Sequence, residues 1–191
     1  MADGILKVGT ITTSSGSGTI TLGQSGETVD MSNGTMTLNS SMKMTPAFSA
    51  YMSADQSSIA DNTSVKVNMN TEFFDSDGKY DTSNYRFTPT TAGKYFVYVR
   101  IQCDANTANQ LQQGFAKIYK NGSRYSQTQM NMSNNQPENI MVECFNIIDM
   151  NGSSDYLEGY VNIDDTSGDG NVRGTTSYVW TCFGAYRIIG A

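Results

Sequence analysis

After Gly93 the chain alternates without a break: Tyr95, Val97, Val99, Ile101 and Cys103 fall in one phase, and Phe96, Tyr98, Arg100 and Gln102 in the other. A period of two belongs to a β-strand, whose successive side chains point to opposite faces of a sheet. The first phase is apolar throughout and the second opens with two aromatics, so this strand has a second face that suits water poorly. Gly93 closes a Thr-Pro-Thr-Thr-Ala-Gly turn, and Pro89 stands before the strand rather than inside it, where a missing N–H would break a ladder.

Similar patterns recur, and no segment shows a convincing helical period. Eight candidate strands are expected at 47–52, 64–74, 79–87, 93–103, 114–121, 139–149, 155–163 and 176–189. The Asn- and Gln-rich segments 104–113 and 122–138 read as loops, and 164–175, DDTSGDGNVRGT, as a long polar loop. Asn121-Gly122 marks a hairpin turn. Short strands at this spacing predict an all-β, jelly-roll sandwich of two sheets over residues 46–191.

The run from Asp75 to Val99 adds a second line of argument. Asp75, Tyr80, Phe87, Gly93 and Tyr95 follow one another with gaps of four, six, five and one residues. This spacing resembles the signature of the globular head of complement component one-q, a jelly roll shared with the tumour necrosis factor superfamily. Met69, Val97 and Val99 stand where that signature has aromatics, and each keeps the apolar character. Pro46–Tyr51 resembles the family's opening strand, Phe115–Gly122 its central hairpin and Thr181–Tyr186 its closing strand. The resemblance implies three jelly rolls packed about a threefold axis, with loops at one end free for binding. An ordinary hairpin in some other all-β domain is the alternative.

Residues 1–45 differ in texture, and half of residues 1–44 are Gly, Ser or Thr. A loose repeat runs through them: Gly9-Thr-Ile-Thr, Gly18-Thr-Ile-Thr, Glu27-Thr-Val-Asp and Gly34-Thr-Met-Thr. Each unit is a minimal strand between turn residues, too small to bury a core alone. The expectation is a short β-rich stalk or docking segment; the alternative is a flexible linker. Thr19–Gly26 resembles runs in structural proteins of tailed bacteriophages that precede distal domains, which implies a virion protein.

Composition excludes more than it proposes. The chain has no histidine, which removes Ser-His-Asp and Cys-His nucleophilic sites and the commonest general base. Glu138, Glu143 and Glu158 are available as acids, but nothing in the sequence pairs them across a cleft, so no enzyme is expected. A net charge of −6 with no concentrated basic run argues against nucleic acid. No apolar run is long enough to span a bilayer, and Met-Ala-Asp-Gly opens no secretory leader, so assembly in a host cytoplasm is expected. Cys103, Cys144 and Cys182 sit in apolar strand patterns and read as buried free thiols.

Two sets of residues are candidate sites. Asp164, Asp165 and Asp169 share a glycine-bearing loop and could gather oxygens around calcium, although Thr176 stands where an EF-hand needs its twelfth-position Glu. No other cofactor is suggested. Tyr95, Tyr160 and Tyr178 fall in strand patterns, fitting a core or subunit contact. Tyr85, Tyr125 and Tyr156 lie near turns, where a ring can stack on a sugar, and Met130 and Met132 are placed for a contact between chains.

The reading is a trimeric tailed-phage appendage, a tail fibre or receptor-binding type of protein, held to other virion proteins by its N-terminal segment. It would touch a host surface glycan or protein. A structural capsid or collar decoration, and a free glycan-binding protein, are the alternatives.

Overall fold

The computed structural model describes residues 25–26, 28–30, 32, 34–39 and 42–190. The repeat units at Gly9 and Gly18, and the phage-like run up to Gln24, lie outside the described residues. Residues 28–30 and 34–39 join no strand ladder, so the described part of residues 1–45 lacks the expected β structure. The chain divides into two units, residues 1–37 and 38–191, and every strand described belongs to the second.

Thirteen strands are seen among the described residues, every ladder antiparallel. In chain order they are β1 (Ala47–Tyr51), β2 (Gln56–Ala60), β3 (Val65–Lys66), β4 (Thr71–Asp75), β5 (Tyr80–Asp81), β6 (Arg86–Phe87) and β7 (Gly93–Asp104). Then come β8 (Leu111–Lys120), β9 (Ser123–Asn131), β10 (Asn139–Met150), β11 (Leu157–Asp165), β12 (Asp169–Val172) and β13 (Cys182–Arg187). The first sheet runs β2-β12-β7-β13-β1-β4, with β10 on the other edge of β7; the second runs β5-β6-β11-β8-β9, with β3 also on β11. Most spatial neighbours are not sequence neighbours, because the chain passes repeatedly from one sheet to the other. That is the jelly-roll pattern.

The core lies between the sheets. Tyr95, Val97, Val99, Ile101 and Cys103 of β7 point into it and are wholly buried, as the alternation predicts. Phe48 of β1 sits at the centre of an aromatic cluster, stacked on Tyr80 at 4.6 Å and Phe87 at 4.4 Å, with Phe183 edge-on at 5.0 Å. All three cysteines are buried free thiols, and burial pushes the Cys103 thiol up to about 12.

Several expected boundaries are corrected. Segment 122–138 is not all loop: the Asn121-Gly122 turn, both residues in the left-handed region, folds β9 back onto β8. β9 is an edge strand, almost wholly exposed, so main-chain bonds make it and no apolar period marks it. Segment 164–175 holds β12, where Gly170 lies so close to Ile163 of β11 that a Cβ would come within 2.7 Å of it. Segment 64–74 is two strands, because residues 67–70 carry the chain from the second sheet to the first while burying Val67 and Met69. Segment 79–87 likewise splits into β5 and β6 around a turn, and 176–181 is loop before β13. β2 was not expected, since Ile59 is its only buried side chain.

The ladders set the two ends of the sandwich. The chain enters at Ala47, opposite Tyr186, at the end that also holds Gly93 and Met150. The connections 105–110, 132–138 and 166–168 lie at the opposite end, beyond Asp104, Asn131 and Asp165.

Candidate functional site

The signature residues converge, and what they build is architecture. Asp75 Oδ2 accepts the Tyr80 backbone N–H at 2.7 Å, closing the turn between β4 and β5. Tyr80 donates its hydroxyl to the Met69 carbonyl at 2.8 Å, so Met69, standing in for an aromatic, also anchors the ring that packs on Phe48. Tyr95 donates to Thr91 O at 2.8 Å, and burial pushes its phenol up to about 12. Gly93 has a φ of 142°, and a side chain there would meet Arg187 at 3.1 Å. None of these groups is presented to a ligand.

Of the three candidate calcium ligands, Asp165 and Asp169 meet at the Ser167 hydroxyl, which bonds both, while Asp164 turns away. Asp164 and Asp165 are neighbours on a strand and diverge: the Asp164 carboxylate accepts from Gln113 at 3.0 Å on the outer face. Asp165 Oδ1 is occupied by the Ser167 and Gly168 backbone N–H groups of its own turn, at 2.8 and 2.6 Å. Asp169 is exposed and bonded to the Ser167 hydroxyl. Burial, then Asp61 and Asp165, pushes the Asp164 carboxyl up. No group of three His, Cys, Asp or Glu among the described residues is arranged to hold a metal.

The first sheet has an unusual outer face. Phe96 and Tyr98 of β7 stand there beside Phe145 and Ile147 of β10 and Tyr186 of β13, and the Phe96 ring lies 6.2 Å from Phe145 and 5.4 Å from Tyr186. Phe145 is 66% exposed and Ile147 52%. A shallow cavity of about 260 Å³ opens between Phe96, Tyr98, Arg100, Glu143 and Phe145, with Cys182 in its wall. Tyr98 lies flat across β13 and bonds Ser49 of β1 at 3.0 Å; a Cβ at Gly184 would run into its ring. Arg100 donates to the Trp180 carbonyl at 3.2 Å and to that of Val179, fixing the loop before β13. Sequence reasoning placed apolar residues on both faces of β7 but passed over those of β10, although Met141, Phe145 and Ile147 fall in one phase of the strand period.

The tyrosines separate differently from expectation. Tyr95 is core, Tyr160 is half-buried on the outer face of the second sheet, and Tyr178 stands 67% exposed in the loop before β13, its ring parallel to Trp180. Tyr125 is exposed on β9, and Tyr156 lies under the Arg86 guanidinium at 3.8 Å.

This architecture is the jelly roll of the complement one-q and tumour necrosis factor kind. No family model matches the chain, and no curated protein sequence matches it. Among solved structures it is similar to the globular domain of zebrafish complement 1qA protein, with a TM-score of 0.52 at 10% identity over 75% of this chain and 97% of that one. It is also similar to Eiger TNF from S. frugiperda, with a TM-score of 0.53 at 12% identity over 76% and 93% of the two chains. At such identities the likeness is one of fold.

Proposed function

We propose that this chain is a homotrimeric appendage protein of a tailed-phage virion, with a binding and structural role and no catalysis. The observation that carries the reading is the outer face of the first sheet. Phe145 and Ile147 with Phe96 and Tyr186 would leave a contiguous apolar surface in water on an isolated sandwich, and burying it against another copy removes that cost. Three copies, as the resemblance implies, close such a head-to-tail contact into a ring and leave no sticky face over. The chain enters at one end and the loops 105–110, 132–138 and 166–168 lie at the other, an arrangement suited to attachment below and contact above. The Thr-Ile-Thr repeat of residues 1–45 supports docking on other virion proteins, and trivalency would multiply weak contacts with a host surface glycan or protein.

Light scattering on purified protein at micromolar concentration should return three times the chain mass of 20.8 kDa. A folded monomer would end the trimer reading. Antibody labelling of particles should then mark a distal appendage; label over the shell would instead make it a capsid decoration.

A further inference from the structure

The outer face of the second sheet is ordered differently. Register places Arg86, Glu158, Tyr119 and Arg124 side by side across β6, β11, β8 and β9, and Lys66, Tyr160, Lys117 and Gln127 in the adjoining row across β3, β11, β8 and β9. These rows hold four cations and one carboxylate, in a chain whose net charge is −6. The carboxylate is already committed: Glu158 Oε1 takes Lys66 Nζ at 3.0 Å and Arg86 at 2.9 Å.

Lys117 and Arg124 have no carboxylate partner among the described residues. Lys117 is almost wholly buried, donates to Ser64 Oγ at 2.7 Å and lies 4.8 Å from the Phe115 ring centroid. Arg124 donates to Gln127 Oε1 at 3.0 Å. A surface lysine normally keeps its ammonium in water; this one is held out of water near a second cation, and desolvation, then Arg124, pushes its pKa down. In the next row Asn162 is 5% exposed and its Oδ1 is buried with no hydrogen-bond partner among the described residues, which leaves it open to a donor from outside the chain. Tyr119 and Tyr160, both half-buried on the same face, stack on one another at 3.9 Å.

We propose that this face binds a carboxylated polysaccharide, with Lys117 and Arg124 receiving the carboxylate of one uronate unit. The Tyr119–Tyr160 pair packs on its neighbour's ring, and Asn162 and Gln127 bond hydroxyls. Side-chain amides beside aromatic rings suit a hydroxyl-rich ring. Two cations without a carboxylate partner match one charge per sugar, not the dense charge of a nucleic-acid backbone. The inference rests on the glycan-contacting part of the proposed function and names its ligand class and its surface.

The test is biolayer interferometry of the full chain against immobilised polygalacturonate, dextran and dextran sulfate. Binding to polygalacturonate and not to dextran, weakened by raising salt from about 50 to 300 mM, is expected. Arg124→Gln, an exposed site, should weaken it roughly tenfold, and Lys117→Met more, if circular dichroism shows the variant folded. Lys94→Gln, on the other sheet, should change nothing. No binding to polygalacturonate would overturn the proposal, as would dextran sulfate binding that is equally tight and indifferent to Arg124→Gln. A trimer that fails to bind overturns this inference alone, whereas a folded monomer that binds overturns only the trimer reading.

Discussion

The two sheets share one core and present opposite outer faces. β10 points Ile140, Val142, Cys144, Ile148 and Met150 inward, and its other phase adds Met141, Phe145 and Ile147. β8 points Gly114, Ala116 and Ile118 inward, and its other phase carries Gln113, Phe115, Lys117 and Tyr119. One phase of each strand is enough to build the sandwich, so the other is free to say what docks on it. An apolar outer phase asks for a surface like itself, which a second copy supplies. A phase of amides, rings and cations asks for a polar, charged ligand.

The largest expected effect tests the first half of that contrast. Phe145→Asp with Ile147→Asp should convert the trimer to a monomer at micromolar concentration, read by light scattering, while the β-type circular dichroism persists. Each apolar side chain contributes about 1.5–3 kcal/mol when buried, and each of three interfaces would lose two of them and gain two buried charges. Arg124→Gln should leave the mass unchanged. A double variant that stays trimeric would mean that the outer face of the first sheet is not where copies meet.

Next comes the shared core. Phe48→Ala removes the ring on which Tyr80, Phe87 and Phe183 pack, and should cost about 3–5 kcal/mol in urea unfolding. Both faces should fail together, in contrast to the selective loss above. Glu158→Gln is smaller and confined to the second sheet. It leaves Lys66 and Arg86 without their carboxylate, and should cost about 2 kcal/mol, less than for a fully buried pair because those side chains stay 31% and 37% exposed.

How much of this the chain announced depends on whether the signal was local. The alternation of β7, the Asn121-Gly122 turn and the buried cysteines are short-range patterns, and each lies where it was expected. β9 and β12 were missed because an edge strand and a glycine-closed strand draw their order from partners far along the chain. Of the acids grouped in the 164–175 segment, the period of two sends Asp164 and Asp165 to opposite faces, while the turn at Ser167 joins Asp165 to Asp169. Lys117, Tyr160 and Asn162 could not be grouped beforehand, since only the register of β8 on β11 brings them together.

The smallest expected effect compares ion pairs near the entry end of the two sheets. Asp149, on the outer phase of β10, meets Lys94 at 2.7 Å with 77% of its side chain exposed. Asp155 lies beneath the β8–β9 turn, where Lys120 Nζ at 2.9 Å and then the Asn121 amide at 2.7 Å hold its carboxyl below the usual carboxylate range. A carboxyl lowered in the folded state stabilises the fold above its unfolded pKa, and that contribution disappears as the pH falls through the lowered value. Melting temperature followed from neutral pH down through the carboxylate range should therefore drop, and Asp155→Asn should make the low-pH slope shallower. Asp149→Asn should leave stability at neutral pH unchanged within about 0.5 kcal/mol, because water already screens that pair. Equal responses from the two variants would mean that the turn of the second sheet is no better braced than the open edge of the first.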